Sequence, residues 1–148
     1  MSNKYIVHTD GGARGNPGPA ALGVVITDEA GKMIKEFGEY IGEKTNNEAE
    51  YRAPIEALKA IKASIGAKKA KDSVIEIFMD STLVVKQMNR EYKVSHPNIQ
   101  SFFIELWNAT LDFKEVTFTH VRREKNKEAD AQVNKALDAE VGGSATLF

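Results

Sequence analysis

Apolar residues in the first 41 positions follow the period expected of β-strands. Residues 5–9 and 21–27 are short runs of β-prone side chains, and residues 33–41 alternate between apolar and polar positions. A loop rich in glycine and proline separates the first two runs, and residues 28–31 have the composition of a turn. This part of the chain is therefore predicted to form an antiparallel three-stranded meander.

The period changes to that of a helix at Thr45. Ala49, Ala53, Leu58 and Ile61 have helical spacing, and Thr45 and Glu48 are in the register of a capping box. A loose link over residues 66–72 follows this helix. The remaining pattern predicts a strand at 73–80, a short helix at 81–89, a helix within 97–113, a strand at 116–121 and a helix from 126 to about 139.

The third predicted helix contains several large apolar residues. Because its neighbours along the helix are apolar, Trp107 is predicted to pack in the core rather than to act as a base-stacking platform. The large apolar residues of this helix are Ile99, Phe102, Phe103, Leu106, Trp107 and Leu111.

Length and composition indicate one domain without cysteine chemistry. The 148 residues suit a single core, and the absence of cysteine excludes disulfides and thiolate-ligated zinc. The N-terminal segment lacks the apolar run of a signal peptide, and no apolar stretch is long enough to span a bilayer, so we expect a cytoplasmic protein. With 20 basic and 21 acidic side chains, the net charge of −1 identifies no partner.

Four acidic residues converge if the first strand ends at the top of the sheet, with Asp10. The meander then starts the first helix at the top, with Glu50 in its first two turns. A right-handed crossover makes the strand ending in Asp80 parallel to the first strand. If the fifth strand is also parallel, the last helix presents Asp130 at the same end, where open α/β sheets bind ligands.

Clustered carboxylates repel one another and require protons or cations. Mg²⁺ accepts such hard oxygen ligands, and a pair of ions can support phosphodiester hydrolysis. Taken singly, each acid has another explanation. Asp10 suits a turn before Gly11, Asp80 suits a helix cap, and Glu50 and Asp130 suit solvated helix faces.

The chain resembles type I ribonuclease H, particularly its compact prokaryotic branch that lacks a basic protrusion. The resemblance covers residues 4 to 140 through the segments TDGGARGNPGPAALG, TNNEAEYRA, MDSTLVVKQM and HVRREKNKEADAQVNKAL. It implies an α/β ribonuclease H-like fold, with a five-stranded mixed sheet of order 3-2-1-4-5 and helices on both faces. It implies metal-dependent cleavage of the RNA strand of RNA/DNA hybrids, leaving 3′-hydroxyl and 5′-phosphate ends.

The resemblance also assigns residue roles. Glu50, and not the capping-box residue Glu48, matches the catalytic glutamate of the family. The implied catalytic and metal-binding set is Asp10, Glu50, Asp80 and Asp130, with two Mg²⁺ ions or Mn²⁺ in their place. The implied substrate contacts are Gly11, Gly12, Gly15, Asn16, Thr45, Asn46 and Asn47. For the asparagines, turn or capping roles explain the sequence equally well.

His120 and the basic loop after it remain open between two interpretations. The distance from His120 to Asp130 matches the loop histidine that assists catalysis in the family, yet His120 also ends an apolar strand. Arg122 and Arg123 suit either phosphate contacts or simple solvation.

Three departures from the family affect substrate binding and the first helix. Glu48 replaces an arginine that holds a DNA-strand phosphate in some relatives, and Pro54 lies inside the predicted helix, where we expect a local distortion. The segment between Asn89 and Pro97 is too short for a basic protrusion, so binding should be weaker and strongly salt-dependent.

Two alternatives to a hybrid-specific nuclease remain, namely a nuclease that also cleaves double-stranded RNA and a module that binds hybrids without cutting them. We expect a monomer with no membrane partner. The predicted domain covers residues 1–141, and for the tail, residues 142–148, disorder is favoured over docking on a sheet edge.

Overall fold

The computed structural model describes residues 3–142, which form one mixed β-sheet with the strand order β3-β2-β1-β4-β5. The strands are β1 (Lys4–Ala13), β2 (Gly18–Asp28), β3 (Met33–Lys44), β4 (Val74–Met79) and β5 (Glu115–His120). The first three pair as an antiparallel meander, and β4 is parallel to both β1 and β5. This confirms the fold class and the parallel fifth strand that the sequence predicted.

Between residues 3 and 142, five α-helices accompany the sheet. They are α1 (Asn46–Ile65), α2 (Ala67–Lys71), α3 (Thr82–Met88), α4 (Pro97–Thr110) and α5 (Lys127–Leu137). A 3₁₀ turn over Arg123–Lys125 precedes α5, and a π-helical turn over Asp138–Gly142 follows it. The prediction of a loose link over residues 66–72 was wrong, because all five α2 residues are alanine or lysine, which favour a helical turn.

The core lies mainly between the sheet and α1. Val7, Leu22 and Ile77 from three neighbouring strands pack with Tyr51 and Leu58 of α1, and all five are essentially inaccessible to solvent. Alternate residues of β2 point the other way, where Ala21 packs with Val133 and Leu137 of α5. The helices α1 and α5 therefore cover opposite faces of the sheet.

One stripe of α4 is buried and another is exposed. Ile99 and Leu106 belong to the core, but Trp107 is 50% exposed and Leu111 is 55% exposed. The predicted core position of Trp107 was therefore wrong. The helix contacts α1 along a single stripe, and residues at positions 104, 107 and 111 share the opposite side.

The segment between α3 and α4 is compact, as expected from its length. Gln87 at the end of α3 accepts a hydrogen bond from the buried Tyr51 hydroxyl at 2.6 Å and donates one to the Lys93 carbonyl at 3.1 Å. Asn89 donates to the carbonyl of Phe118 at 3.0 Å. The segment is thereby attached to α1 and β5.

The helix α1 continues through Pro54, whose side chain is buried, and the structure records no break there. No helix within residues 3–142 is long and apolar enough to cross a membrane. The predicted tail begins at Gly142, so nearly all of it, residues 143–148, lies outside the described residues.

Candidate active site

Asp10 and Asp80 lie side by side because of the register of two parallel strands. Thr9 of β1 is paired with Met79 of β4, and each aspartate is the next residue in the chain. Asp10 is only 9% exposed, and the side chain of Asp80 is 13% exposed. Two carboxylates are thus held side by side in a partly desolvated position. The prediction that the first strand ends with Asp10 was wrong, because pairing with β2 extends β1 to Ala13, whereas β4 ends just before Asp80.

Gly11 allows α1 to bring Glu50 against β1. A Cβ atom at Gly11 would lie 2.3 Å from the backbone carbon of Ala49 and 2.6 Å from the backbone nitrogen of Glu50. Only glycine permits this approach of the helix to the strand. The sequence assigned Gly11 to substrate contact, and the structure shows that its missing side chain serves the packing of α1.

Asn126 connects the strand that carries Asp10 with the helix that carries Asp130. Its side-chain nitrogen donates to the carbonyl of Thr9 at 2.9 Å, and its backbone carbonyl accepts from the N–H of Asp130 at 3.1 Å. Asn126 is 1% exposed. The sequence pattern did not single out this residue, although it belongs to the NKEAD segment that carries Asp130.

All four acids line one cavity of about 770 Å³ at the end of β1 and β4. The same cavity is lined by several of the residues that the resemblance assigned to the substrate or to catalysis: Gly11, Gly12, Asn16, Asn46, Asn47, His120, Arg122 and Arg123. Thr45 instead lines a neighbouring cavity of about 400 Å³, together with Asn16 and Asn47. Gly15 lines neither cavity and adopts a φ of 98° in the turn between β1 and β2.

Burial and crowding oppose the charge of Asp10. Burial, and after it the Asp80 charge and a hydrogen bond with Asp130, raise the pKa of Asp10 from 3.8 to about 8. A hydrogen bond from the Gly11 backbone acts in the opposite direction and is too weak to offset them. Without a cation in the cavity, Asp10 therefore holds a proton near neutral pH.

Glu50 is in a similar environment but has polar partners. Burial, with a smaller contribution from the Asp80 charge, raises the pKa of Glu50 from 4.5 to about 7. The Ser81 hydroxyl donates to Glu50 Oε1 at 3.1 Å and accepts from the backbone N–H of Val84 at 3.3 Å. That hydrogen bond and the charge of Arg123 favour the ionised carboxylate.

The donor set suits a divalent cation, which the resemblance implies. Carboxylate oxygens are the preferred ligands of Mg²⁺, and a cation would relieve the repulsion that raises the pKa of Asp10. Within residues 3–142, no three histidine, aspartate or glutamate side chains are already arranged to hold one ion together. The chemistry of the cavity thus fits a divalent cation, and the remaining ligands of the ion would come from water and substrate oxygens.

The asparagines join the glycine-rich loop to the start of α1. Asn16 Oδ1 accepts from the Asn46 backbone at 3.0 Å, and Asn46 Oδ1 accepts from the backbone N–H of Ala13 at 2.8 Å. Both bonds use the side-chain oxygen, so the amide nitrogen is the donor that each could offer to a ligand. The two asparagines thus have the structural role that the sequence left open, and a substrate contact remains compatible with it.

Thr45 and Glu48 form the predicted capping box. Thr45 accepts from the N–H of Glu48 at 3.2 Å, and the Glu48 carboxylate accepts from the N–H of Thr45 at 2.8 Å. This confirms that Glu48 caps α1. Glu48 also lines the neighbouring cavity.

His120 ends β5, as predicted, and its exposed side chain lines the acidic cavity. Arg123 lies on the following loop, with Nε 3.9 Å from Asp80 Oδ2, and its side chain is 87% exposed. Arg122 is 84% exposed. Both arginines are therefore at the mouth of the cavity and accessible to an anionic ligand.

A family model and several known proteins are similar to this chain. A family model described as reverse transcriptase-like matches residues 8–136. Ribonuclease HI of Halobacterium salinarum is 40% identical over 129 residues, which cover 87% of this chain and 62% of the relative. A bifunctional protein of Mycobacterium tuberculosis is 38% identical over 144 residues, covering 96% of this chain and 38% of the relative. The chain thus spans less than two thirds of these curated relatives.

A solved structure of LC11 ribonuclease H1 in complex with an RNA/DNA hybrid is 46% identical to this chain. It superposes with a TM-score of 0.86 and covers 91% of this chain and 97% of the other. The similarity therefore extends over nearly the whole of both chains. With the strand order, the acidic cavity and the family model, it shows that this chain belongs to the ribonuclease H family.

Proposed function

We propose that this chain is a metal-dependent endoribonuclease that cleaves the RNA strand of RNA/DNA hybrids and leaves 3′-hydroxyl and 5′-phosphate ends. The observation that carries the proposal is the convergence of Asp10, Glu50, Asp80 and Asp130 on one cavity of a ribonuclease H fold. The hybrid in the similar solved structure supports the choice of substrate. The ribonuclease H family in general depends on divalent metal ions.

In the proposed mechanism the four acids would hold two Mg²⁺ ions, with Mn²⁺ as the alternative metal. When bound, such ions supply a nucleophile at neutral pH and stabilise the attacking and leaving oxygens of phosphoryl transfer. Asp10 is central because it interacts with both Asp80 and Asp130. Ser81 orients Glu50, and Asn126 fixes Asp130 relative to β1.

Recognition of RNA requires contact with its 2′-hydroxyl groups, which are displayed in the minor groove of an A-like duplex. Asn16, Asn46 and Asn47 line the cavity, and their side-chain amides have the donor chemistry for this contact. Arg122 and Arg123 are placed to bind phosphates at the mouth of the cavity.

The direct test is gel-resolved cleavage of an end-labelled RNA/DNA hybrid with and without Mg²⁺. Single-stranded RNA, RNA duplex and DNA duplex of the same sequence serve as parallel substrates. We expect metal-dependent cutting of the RNA strand of the hybrid alone, and we expect Asp10→Asn to abolish it. Asp72 is an exposed acid at the opposite end of β4. The Asp72→Asn protein is therefore the matched control and should cleave the hybrid like the parent protein.

Other outcomes have defined meanings. Equal cleavage of the RNA duplex would establish the broader nuclease. Binding of the hybrid without cleavage would favour the non-catalytic module. Undiminished cleavage by the Asp10→Asn protein would overturn the assignment of the acidic cavity.

A further inference from the structure

Arg14 is a cation of the acidic cavity to which neither the sequence pattern nor the comparisons assign a role. It lies in the loop between β1 and β2, and its side chain lines the same cavity as the four acids. The loop is fixed at this point, because the backbone N–H of Arg14 donates to the carbonyl of Pro19 at 2.8 Å. The guanidinium is therefore attached to a rigid part of the cavity wall.

Among the described residues, the guanidinium is paired with one carboxylate, in an exposed position. Arg14 Nη2 lies 2.6 Å from Oδ1 of Asp138, the residue that follows α5. The two side chains are 37% and 59% exposed. Exposed ion pairs contribute little net free energy, and a guanidinium has five donors, so a second anion can share or replace this partner.

The arginines that line the cavity stand on two sides of the acids. Arg122 and Arg123 follow β5, which lies beyond β4 in the sheet, whereas Arg14 is on the side of β2. Asp10 and Asp80, on β1 and β4, lie between the two groups. A nucleic-acid strand that places a phosphate among the acids would extend toward cations on both sides.

We infer that Arg14 binds a backbone phosphate of the cleaved strand, on the side of the cavity opposite Arg122 and Arg123. Asp138 competes with that phosphate for the guanidinium and so limits the affinity of the free protein for polyanions. This inference rests on the proposed function, since it takes a hybrid as the occupant of the cavity. Phosphate binding by a planar guanidinium is a favourable bidentate interaction.

The test measures hybrid affinity separately from cleavage. Binding of a fluorescently labelled RNA/DNA hybrid is followed by anisotropy in EDTA over a range of salt concentrations. We expect Arg14→Ala to weaken binding by about three- to tenfold at low salt and to reduce the slope of log K against log salt by about 0.7–0.9, the value for one phosphate contact. Arg14→Lys should retain the slope, because it keeps the charge.

The competitor is tested by Asp138→Asn. This variant should bind the hybrid about two- to fivefold more tightly, and the gain should shrink in the Arg14→Ala background. The ion pair of Lys62 with Asp112 is a matched control, since its atoms are 3.2 Å apart and its side chains are 42% and 41% exposed. The Lys62→Ala and Asp112→Asn proteins should bind with the affinity and salt slope of the parent protein.

Failure of this inference is distinguishable from failure of the proposed function. If the parent protein binds and cuts the hybrid and Arg14→Ala leaves affinity and salt slope unchanged, only the role of Arg14 is overturned. If Asp138→Asn increased hybrid affinity equally in the parent and in the Arg14→Ala background, the proposed competition between Asp138 and the phosphate would be overturned. A parent protein that neither binds nor cuts hybrids would overturn the proposed function and this inference together.

Discussion

Ser81 acts on the candidate site through Glu50. Its hydroxyl donates to the Glu50 carboxylate and also caps α3 by accepting from Val84. Ser81 is 5% exposed, so water cannot readily replace it. A serine at the junction of β4 and α3 therefore couples the cap of one helix to the orientation of an acid on another.

We expect Ser81→Ala to lower kcat on the hybrid about tenfold and to raise the Mg²⁺ concentration needed for half-maximal rate, because Glu50 loses its orienting donor. Loss of the cap should lower the free energy of unfolding by about 1 kcal/mol. Ser81→Thr keeps the hydroxyl and should restore both kinetic values. Steady-state kinetics at several Mg²⁺ concentrations check the prediction, which fails if the alanine protein shows only the loss of stability.

At the scale of residues, the sequence reveals the acids better than the groups that orient them. Asp10 and Asp80 can be located because each comes directly after a run of apolar, β-prone residues, and the parallel register of β1 and β4 brings them together. Ser81 and Asn126 contact partners 31 and 117 positions away. Such contacts have no local periodicity, so a single sequence gives no signal that would identify them.

The close packing of α1 on β1 depends on Gly11. A methyl group at this position would overlap the backbone between Ala49 and Glu50, and a helix backbone cannot move aside without displacing the buried side chains around it. We expect Gly11→Ala to destabilise the protein by about 2–3 kcal/mol and to reduce cleavage strongly, since Glu50 moves with α1.

Gly12→Ala is the matched control for this prediction. A Cβ atom there would find its nearest neighbour at 3.8 Å, an ordinary contact with Val133. The free energy of unfolding of the Gly12→Ala protein, measured in urea, should lie within about 0.5 kcal/mol of the parent value. Equal destabilisation by the two substitutions would show that overlap with the α1 backbone is not the reason why Gly11→Ala destabilises the protein.

At the scale of elements, the sequence pattern succeeds where one face of an element is buried and fails where burial depends on a neighbour. The strands and α1 have clear periods that match the structure. The helix α4 has apolar residues around much of its surface, and only its packing on α1 decides that Ile99 is buried and Trp107 exposed. Pro54 lies inside α1, which is helical from Asn46 to Ile65, so the proline does not end the helix.

For the whole molecule, the acidic cavity makes stability depend on pH when no metal is bound. The pKa values of Asp10 and Glu50 rise on folding to about 8 and about 7. Between pH 4 and pH 8 the unfolded chain therefore releases protons that the folded protein retains, so the free energy of unfolding falls as pH rises. Because both groups are only partly buried and interact with neighbours, we expect a loss of about 2 kcal/mol between pH 5 and pH 8.

Urea unfolding in EDTA at a series of pH values measures this loss. Asp10→Asn removes one of the two titrating groups and should flatten the dependence, whereas Asp112→Asn, far from the cavity, should leave it unchanged. Mg²⁺ competes with the retained protons, so it should stabilise the parent protein more at pH 8 than at pH 5 and have little effect on the Asp10→Asn protein. Equal pH dependence in the parent and Asp10→Asn proteins would mean that repulsion in the cavity is relieved by movement of the acids rather than by protons or metal.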